Sequence, residues 1–173
     1  MQTGTVEIRS ETPADLRAIE AVTVAAFLDA PHAGHIEQFI VAALREAGQL
    51  TLSLVAESEG EIVGHVAVSP VEVSDGTGGW YGLGPISVLP QRQRQGIGTR
   101  LMQEALRRLR ERGAAGCVLV GEPQYYGRFG FRAEAGLTYP GIPPQYFQAL
   151  AFDAAVPRGV ISYSEAFNIN AGR

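Results

Sequence analysis

The sequence predicts a mixed α/β fold, a mostly antiparallel sheet with one parallel strand pair joined by a crossover helix. Three observations carry that prediction. Two apolar runs, Thr51 to Glu57 and Ile62 to Ser69, flank the turn signal Ser58-Glu59-Gly60-Glu61 and read as a hairpin. Trp80 to Val88 is a strand that runs through a glycine turn into an amphipathic helix and then a second apolar strand, Cys117 to Gly121. Near the N-terminus two segments change to the 3.6-residue period of helices that cover a sheet.

The elements follow in order. Thr5 to Arg9 reads as a short strand. Thr12-Pro13-Ala14-Asp15 starts a helix, with threonine at the cap and proline at the first helical position. Leu16, Ile19, Val22, Thr23, Ala26 and Phe27 form its inner stripe. Ala30 to Gly34 is a turn, and a second helix over His35 to Ala47 ends at Gly48. Asp75 to Gly79 links two longer strands. The next strand contains Gly82, Gly84 and Pro85; proline cannot donate to a ladder, so a bulge is expected near Pro85. Past Gly121, Glu122 to Arg128 is a short helix or turn. Phe131 to Tyr139 is expected to be a strand, and Gln145 to Phe152 and Gly159 to Tyr163 a final pair. One domain spans 1–173, with 164–173 expected to fray.

Charge and composition narrow the function. The net charge of -4 across 173 residues opposes a nucleic-acid-binding surface. All 14 basic residues are arginine, and seven of them lie between Arg92 and Arg112. Cys117 is the single cysteine, which leaves no internal disulfide and no cysteine-based metal cluster. No signal peptide or apolar span is visible, so a cytoplasmic protein is expected, with neither membrane nor metal and a homodimer left open.

The stretch Ile86 to Gly113 organises the chain. Ile97, Leu101, Ala105 and Leu109 recur every four residues on one helical face, and Gly113 suits the left-handed position after the last turn. A helix N-terminus presents unpaired N–H groups and partial positive charge. Glycines at 96 and 98 let a phosphate approach those groups, with Arg92 and Arg94 beside them. Neither a Gly-x-x-x-x-Gly-Lys-Ser/Thr loop nor a full Gly-x-Gly-x-x-Gly after a first strand is present, which disfavours P-loop and dinucleotide folds.

Two motifs resemble those of the GNAT superfamily of N-acetyltransferases. Gln93-Arg94-Gln95-Gly96-Ile97-Gly98 matches its acetyl-CoA motif, Gln/Arg-x-x-Gly-x-Gly/Ala. Tyr125-Tyr126-Gly127-Arg128-Phe129-Gly130-Phe131 looks like its second signature, and the likeness covers about Val6 to Phe131. The resemblance implies helices on both faces of the sheet and two splayed parallel strands that admit the pantetheine arm. It further implies acetyl-CoA as acetyl donor, CoA as product and a primary amine, of a small molecule or a protein, as acceptor. The cofactor would be held by Ile86, Ser87, Val88, Gln93, Arg94, Gln95, Gly96, Ile97, Gly98, Thr99, Tyr125 and Arg128.

Direct attack by a neutral amine needs an oxyanion donor, an acid for the thiolate and a route for the amine's proton. A backbone N–H at Ser87 or Val88 is the expected oxyanion donor. Tyr126 occupies the family's acid position, and Tyr125 is expected to pack. Relatives often carry a base on the strand before the motif, but Trp80 to Pro85 offers no carboxylate. Glu122 and His65 are the protein candidates for that role, beside a water relay or an amine that arrives already neutral. The missing carboxylate motivates a second reading, a non-catalytic CoA-binding module; a nucleotide-binding protein is a third, opposed by the charge. The acceptor is expected against Phe27 to Phe39 and Val71 to Gly79, where Asp29, Glu37, Glu72 and Asp75 could attract a cation.

Overall fold

A computed structural model describes residues 5–28 and 34–168; the turn expected around Pro31 and His32, Asp29, and residues 169–173 lie outside them. Strand β1 (Val6–Ser10) leads through a 3-10 turn at Pro13–Asp15 into α1 (Leu16–Phe27), and α2 (Glu37–Glu46) follows. β2 (Leu52–Ser58), β3 (Glu61–Val73) and β4 (Trp80–Val88) form an antiparallel run. Helix α3 (Ile97–Glu111) crosses to β5 (Gly116–Val120), which lies parallel to β4. After α4 (Pro123–Tyr126) come β6 (Leu137–Thr138), β7 (Phe147–Ala151) and β8 (Gly159–Tyr163). The sheet order is β1-β2-β3-β4-β5-β7, with β8 on the end of β3 and β6 parallel to β8.

Alternation along β2 sends side chains to two helical layers. Leu54 and Ala56 join Ile97, Leu101, Met102, Ala105 and Leu109 of α3 in one core. Val55, between them, packs with Ile19 of α1 and Val41 of α2 on the opposite face. Helices therefore cover both faces, as expected. Each large side chain that α3 buries contributes roughly 1.5–3 kcal/mol, so this helix is held chiefly by its apolar face rather than by its exposed Glu–Arg pairs.

β4 and β5 separate early. Their parallel register holds for three pairs, ending at Gly82–Val118, after which β5 pairs only with β7. The bulge expected near Pro85 is present: register with β3 shifts between Val66–Ile86 and Val68–Leu83, and the Gly84–Pro85 peptide is cis. Beyond the bulge β4 stays with β3 while its other edge is left open.

Three expectations need correction. Phe131 to Tyr139 is not a strand; Arg132 makes one bridge to Ala149, and only Leu137–Thr138 is extended in a ladder. Its alternating positions 133 and 135 are exposed alanines, too small to reward burial against a sheet. The last two long strands do not pair with each other, since β7 adds to β5 and β8 to β3. β3 also continues past Pro70 to Val73. Pro70 stands between the last β2 pair, at Val68, and the first β8 pair, at Val71, where the missing N–H breaks no ladder bond. Of the stretch expected to fray, Glu165–Asn168 forms a 3-10 turn with Ala166 buried against Ile40 and Leu44.

Candidate active site

The loop Pro90 to Gly96 is shaped by two left-handed residues, Arg94 (φ 64°) and Gly96 (φ 83°). Gly96 caps α3 in that conformation, and the first intrahelical bond runs from Arg100 N to Gly96 O at 3.1 Å. The N–H groups of Ile97, Gly98 and Thr99 therefore have no partner within the helix. Gln93 ties the loop to the strand, its Nε2 donating to Val88 O at 3.1 Å. Arg92 donates to Gln95 Oε1 at 3.1 Å and reaches Ser58 Oγ at 3.5 Å. Arg94 makes no side-chain hydrogen bond among the described residues and is exposed.

These residues line one cavity. It measures about 400 Å³ and is bounded by Val88, Arg92, Gln93, Arg94, Gly96–Thr99, Tyr125 and Arg128. Nine of the twelve positions expected to bind cofactor are thus gathered near the N-terminus of α3, with Ile86 and Ser87 just upstream on β4 and Gln95 within the loop. Tyr125 closes the cavity, with its hydroxyl 3.5 Å from Thr99 Oγ1. Arg128 lies over the Tyr125 ring at 4.4 Å and reaches Thr99 Oγ1 at 3.4 Å. A larger groove, about 760 Å³ between β1 and α3, is lined by both acids and arginines and contains none of the motif residues.

The two tyrosines point to different places. Tyr126 turns inward, its ring against Gly121 at the end of β5 and edge-on to Phe131 at 6.5 Å. Burial, with a smaller contribution from Tyr125, pushes its hydroxyl up to about 12, so it keeps its proton at neutral pH. Tyr125 is the cavity-lining residue, not merely a packing one.

The register distinguishes the two candidate amides. Leu89 N donates to Val63 O at 2.9 Å, opposite it in the antiparallel ladder. Alternation makes Ser87–His65 the next hydrogen-bonded pair, so the Ser87 N–H is spent on β3. The N–H groups of Ile86 and Val88 face the other edge, which β5 has left.

Glu122 is exposed at the N-cap of α4, where its carbonyl accepts from Tyr126 N at 3.0 Å. His65 is fully buried on the face beneath α1 and α2. The loop 74–79 lies at the paired end of β4, where Gly79 O accepts from Ala115 N at 2.8 Å. Val88 is eight residues away, about 25 Å at the usual strand rise. Asp75 and Glu72 therefore lie toward the paired end of β4 rather than beside Val88. Glu37 does lie on the α1–α2 side, its Oε2 accepting from Gly34 N at 3.0 Å. Among the described residues no His, Cys, Asp and Glu group could hold a metal ion, and no helix is long and apolar enough to cross a membrane. Sequence reasoning missed Ser53, which contacts His65, and Glu11, which accepts from Ser53; serine alternating within an apolar strand was the available signal.

Residues 17–131 match the family model for the acetyltransferase (GNAT) family. A GNAT family acetyltransferase from Brucella melitensis, solved in complex with acetyl-CoA, is 48% identical with a TM-score of 0.85, over 95% of this chain and 99% of that one. The N-acetyltransferase YhbS from Escherichia coli, solved in complex with CoA, is 35% identical with a TM-score of 0.86, over 98% and 95%. By sequence alone YhbS of strain K12, an uncharacterized N-acetyltransferase, is 37% identical over 168 residues, 93% of this chain and 98% of its own. The chain belongs to the GNAT family of acetyltransferases.

Proposed function

We propose that the protein moves an acetyl group from acetyl-CoA to a primary amine by direct attack in a ternary complex. The observation that carries this is the cavity of unpaired N–H groups and arginines at the start of α3, placed beside the open edge of β4. The Brucella relative binds acetyl-CoA and the Escherichia YhbS structure binds CoA, so the same cofactor is assigned here. The pyrophosphate sits on the N–H groups of Gly96 to Thr99, where the helix dipole and Arg94 favour negative charge. Arg128, Tyr125 and Gln93 border it. The pantetheine arm runs along Ile86 to Val88 between the splayed strands.

The chemistry follows from what faces that gap. The Val88 N–H holds the oxyanion as the amine attacks the thioester carbon. Tyr126, buried and protonated, hydrogen-bonds or protonates the departing thiolate. Glu122 is an exposed carboxylate beside the same tyrosine and offers one exit for the amine's proton. The acceptor approaches from the α1–α2 side, because α3 fills the other face. That β4 carries no carboxylate favours a second reading, a CoA-binding module without turnover.

Tyr126→Phe separates the readings. Its hydroxyl acts mainly in the transition state, so turnover should fall about 100-fold, the low end for general acid catalysis. Acetyl-CoA affinity should stay near wild type, and Tyr125→Phe should change turnover little. Equal, small effects of the two variants on turnover would remove Tyr126 from the mechanism.

A further inference from the structure

A line of polar groups crosses the sheet beneath α1 and α2. Glu11 follows β1, and its amide donates to Ser53 O at 2.9 Å. Its carboxylate accepts from Arg45 Nε at 3.0 Å, from Arg45 Nη2 at 2.6 Å, and from the Ser53 hydroxyl. Ser53 Oγ lies 2.8 Å from His65 Nε2. Ser53 is 9% exposed and His65 is 0% exposed, so the bond between them is made away from water, while the Glu11–Arg45 pair is only partly buried.

The direction of the chain can be deduced. An ionised carboxylate only accepts, so Ser53 donates its single proton to Glu11. The Ser53 oxygen is then left to accept, and His65 must carry its ring proton on Nε2. Nδ1 is consequently a bare lone pair. It has no partner among the described residues, which is uncommon for a buried polar atom.

A second orphan faces it. Ser87 is paired directly opposite His65 across β3 and β4, so both side chains rise from the same face. Ser87 is 2% exposed, and its Oγ also lacks a partner among the described residues. Ser87 lies between Ile86 and Val88, whose N–H groups face the splay. An unused donor and an unused acceptor thus stand on directly opposed residues, not bonded to each other, next to the place assigned to the thioester.

We propose that His65, fixed as its Nε2–H tautomer by Ser53 and Glu11, receives the acceptor amine's proton through the Ser87 hydroxyl and relays it to Glu11. The inference rests on the acetyl-transfer reading above. As the amine's lone pair forms the C–N bond, the carbonyl π pair moves to oxygen at the Val88 N–H. The amine's proton passes to Ser87 Oγ while the Ser87 proton passes to His65 Nδ1. The Nε2 proton goes to Ser53, whose own proton goes to Glu11. Collapse then breaks the C–S bond, and the electron pair leaves on sulfur, which takes a proton from Tyr126; water restores that proton. One proton has moved from the amine to Glu11, and the imidazole ends neutral.

The electrostatics suit such a relay. Burial lowers His65 to about 4, against the opposing pull of Glu11, so the ring is neutral at pH 7 with its lone pair available. Glu11 is lowered overall: burial raises it, but Arg45 and Ser53 more than offset that. It therefore passes the proton on to water at its partly exposed edge. His65 is a positioning and relay residue, because Ser87 stands between it and the amine.

The test begins with the wild-type chain carrying ¹⁵N-labelled histidine. NMR should give His65 as the Nε2–H tautomer, neutral from pH 7 down to pH 5. An Nδ1–H tautomer, or a charged ring at pH 6, overturns the relay whatever the activity. Kinetics form the second arm, with thiol release from acetyl-CoA and an amine taken from a panel of primary amines. His65→Gln, Ser53→Ala and Ser87→Ala should each lower turnover at least tenfold with an unchanged acetyl-CoA dissociation constant. The proton inventory in mixed H₂O and D₂O should be curved for wild type and linear for Ser53→Ala. Unchanged turnover in these variants overturns the proposal. Loss of acetyl-CoA binding by the wild type would instead sink the acetyltransferase reading, and the NMR result would still decide the tautomer.

Discussion

Replacing His65 should change how stability depends on pH. A histidine buried neutral binds its proton more readily when the chain unfolds, so the unfolded state gains as pH falls below 6.5. The contribution is therefore complete above 6.5 and is lost as pH drops toward about 4, the value to which burial lowers His65. That interval corresponds to about 3 kcal/mol in total, and about 2 kcal/mol of it falls between pH 7 and pH 5. The paired carboxylates lose their contribution lower down: Arg9 holds Asp15, and Arg107 with Arg108 holds Glu104, each at about 2. Their contribution, with that of Glu11, which burial raises but Arg45 and Ser53 lower by more, is lost as pH falls below the ordinary carboxylate values of 3.8 for Asp15 and 4.5 for the two glutamates, so the interval above pH 5 reports chiefly on the histidine. Urea unfolding at pH 7, 6 and 5 gives the slope. Wild type should lose about 2 kcal/mol across that range while His65→Gln, whatever its absolute stability, stays nearly flat. Parallel slopes for the two proteins would refute the assignment of a buried, neutral imidazole.

Three further substitutions probe the cofactor cavity and the acid. Gly98→Glu should abolish acetyl-CoA binding in calorimetry while leaving the circular dichroism spectrum intact; its Cβ would point at the Tyr125 hydroxyl 3.3 Å away, inside the phosphate pocket. Wild-type affinity in the folded variant would move the phosphates elsewhere. Arg92→Ala with Arg94→Ala should weaken acetyl-CoA binding and flatten its dependence on salt, since exposed charges act over a Debye length. An unchanged salt slope would show that these arginines do not face the phosphates. Gly121→Ala places a methyl group into the Tyr126 ring. It should cost about 1–3 kcal/mol in stability and lower turnover as the phenol shifts; full activity would separate the Tyr126 position from the chemistry.

Much of the site was legible because it depends on local pattern. Gly96, Gly98 and the four-residue recurrence from Ile97 to Leu109 mark the helix start that borders the cavity. Pro85 marked the bulge that follows the point where β4 and β5 part. What escaped depended on partners remote in sequence. Ser87 and Val88 are equivalent until the β3 register assigns one N–H to the ladder and the other to the gap. His65 reads as an ordinary core histidine until Ser53 and Glu11, 12 and 54 positions away, fix its tautomer. Phe131 to Tyr139 is expected to be a strand, yet the exposed alanines at 133 and 135 leave too little side chain to bury against a sheet.

Acetyl transfer itself is tested most directly by wild-type enzyme, acetyl-CoA and a panel of primary amines, with free thiol and amine product measured together. Thiol release should rise well above the amine-free rate for at least one amine, matched mole for mole by an N-acetylated product in the mass spectrum. Firm acetyl-CoA binding with thiol release no faster than hydrolysis for every amine would contradict the account and leave a CoA-binding module.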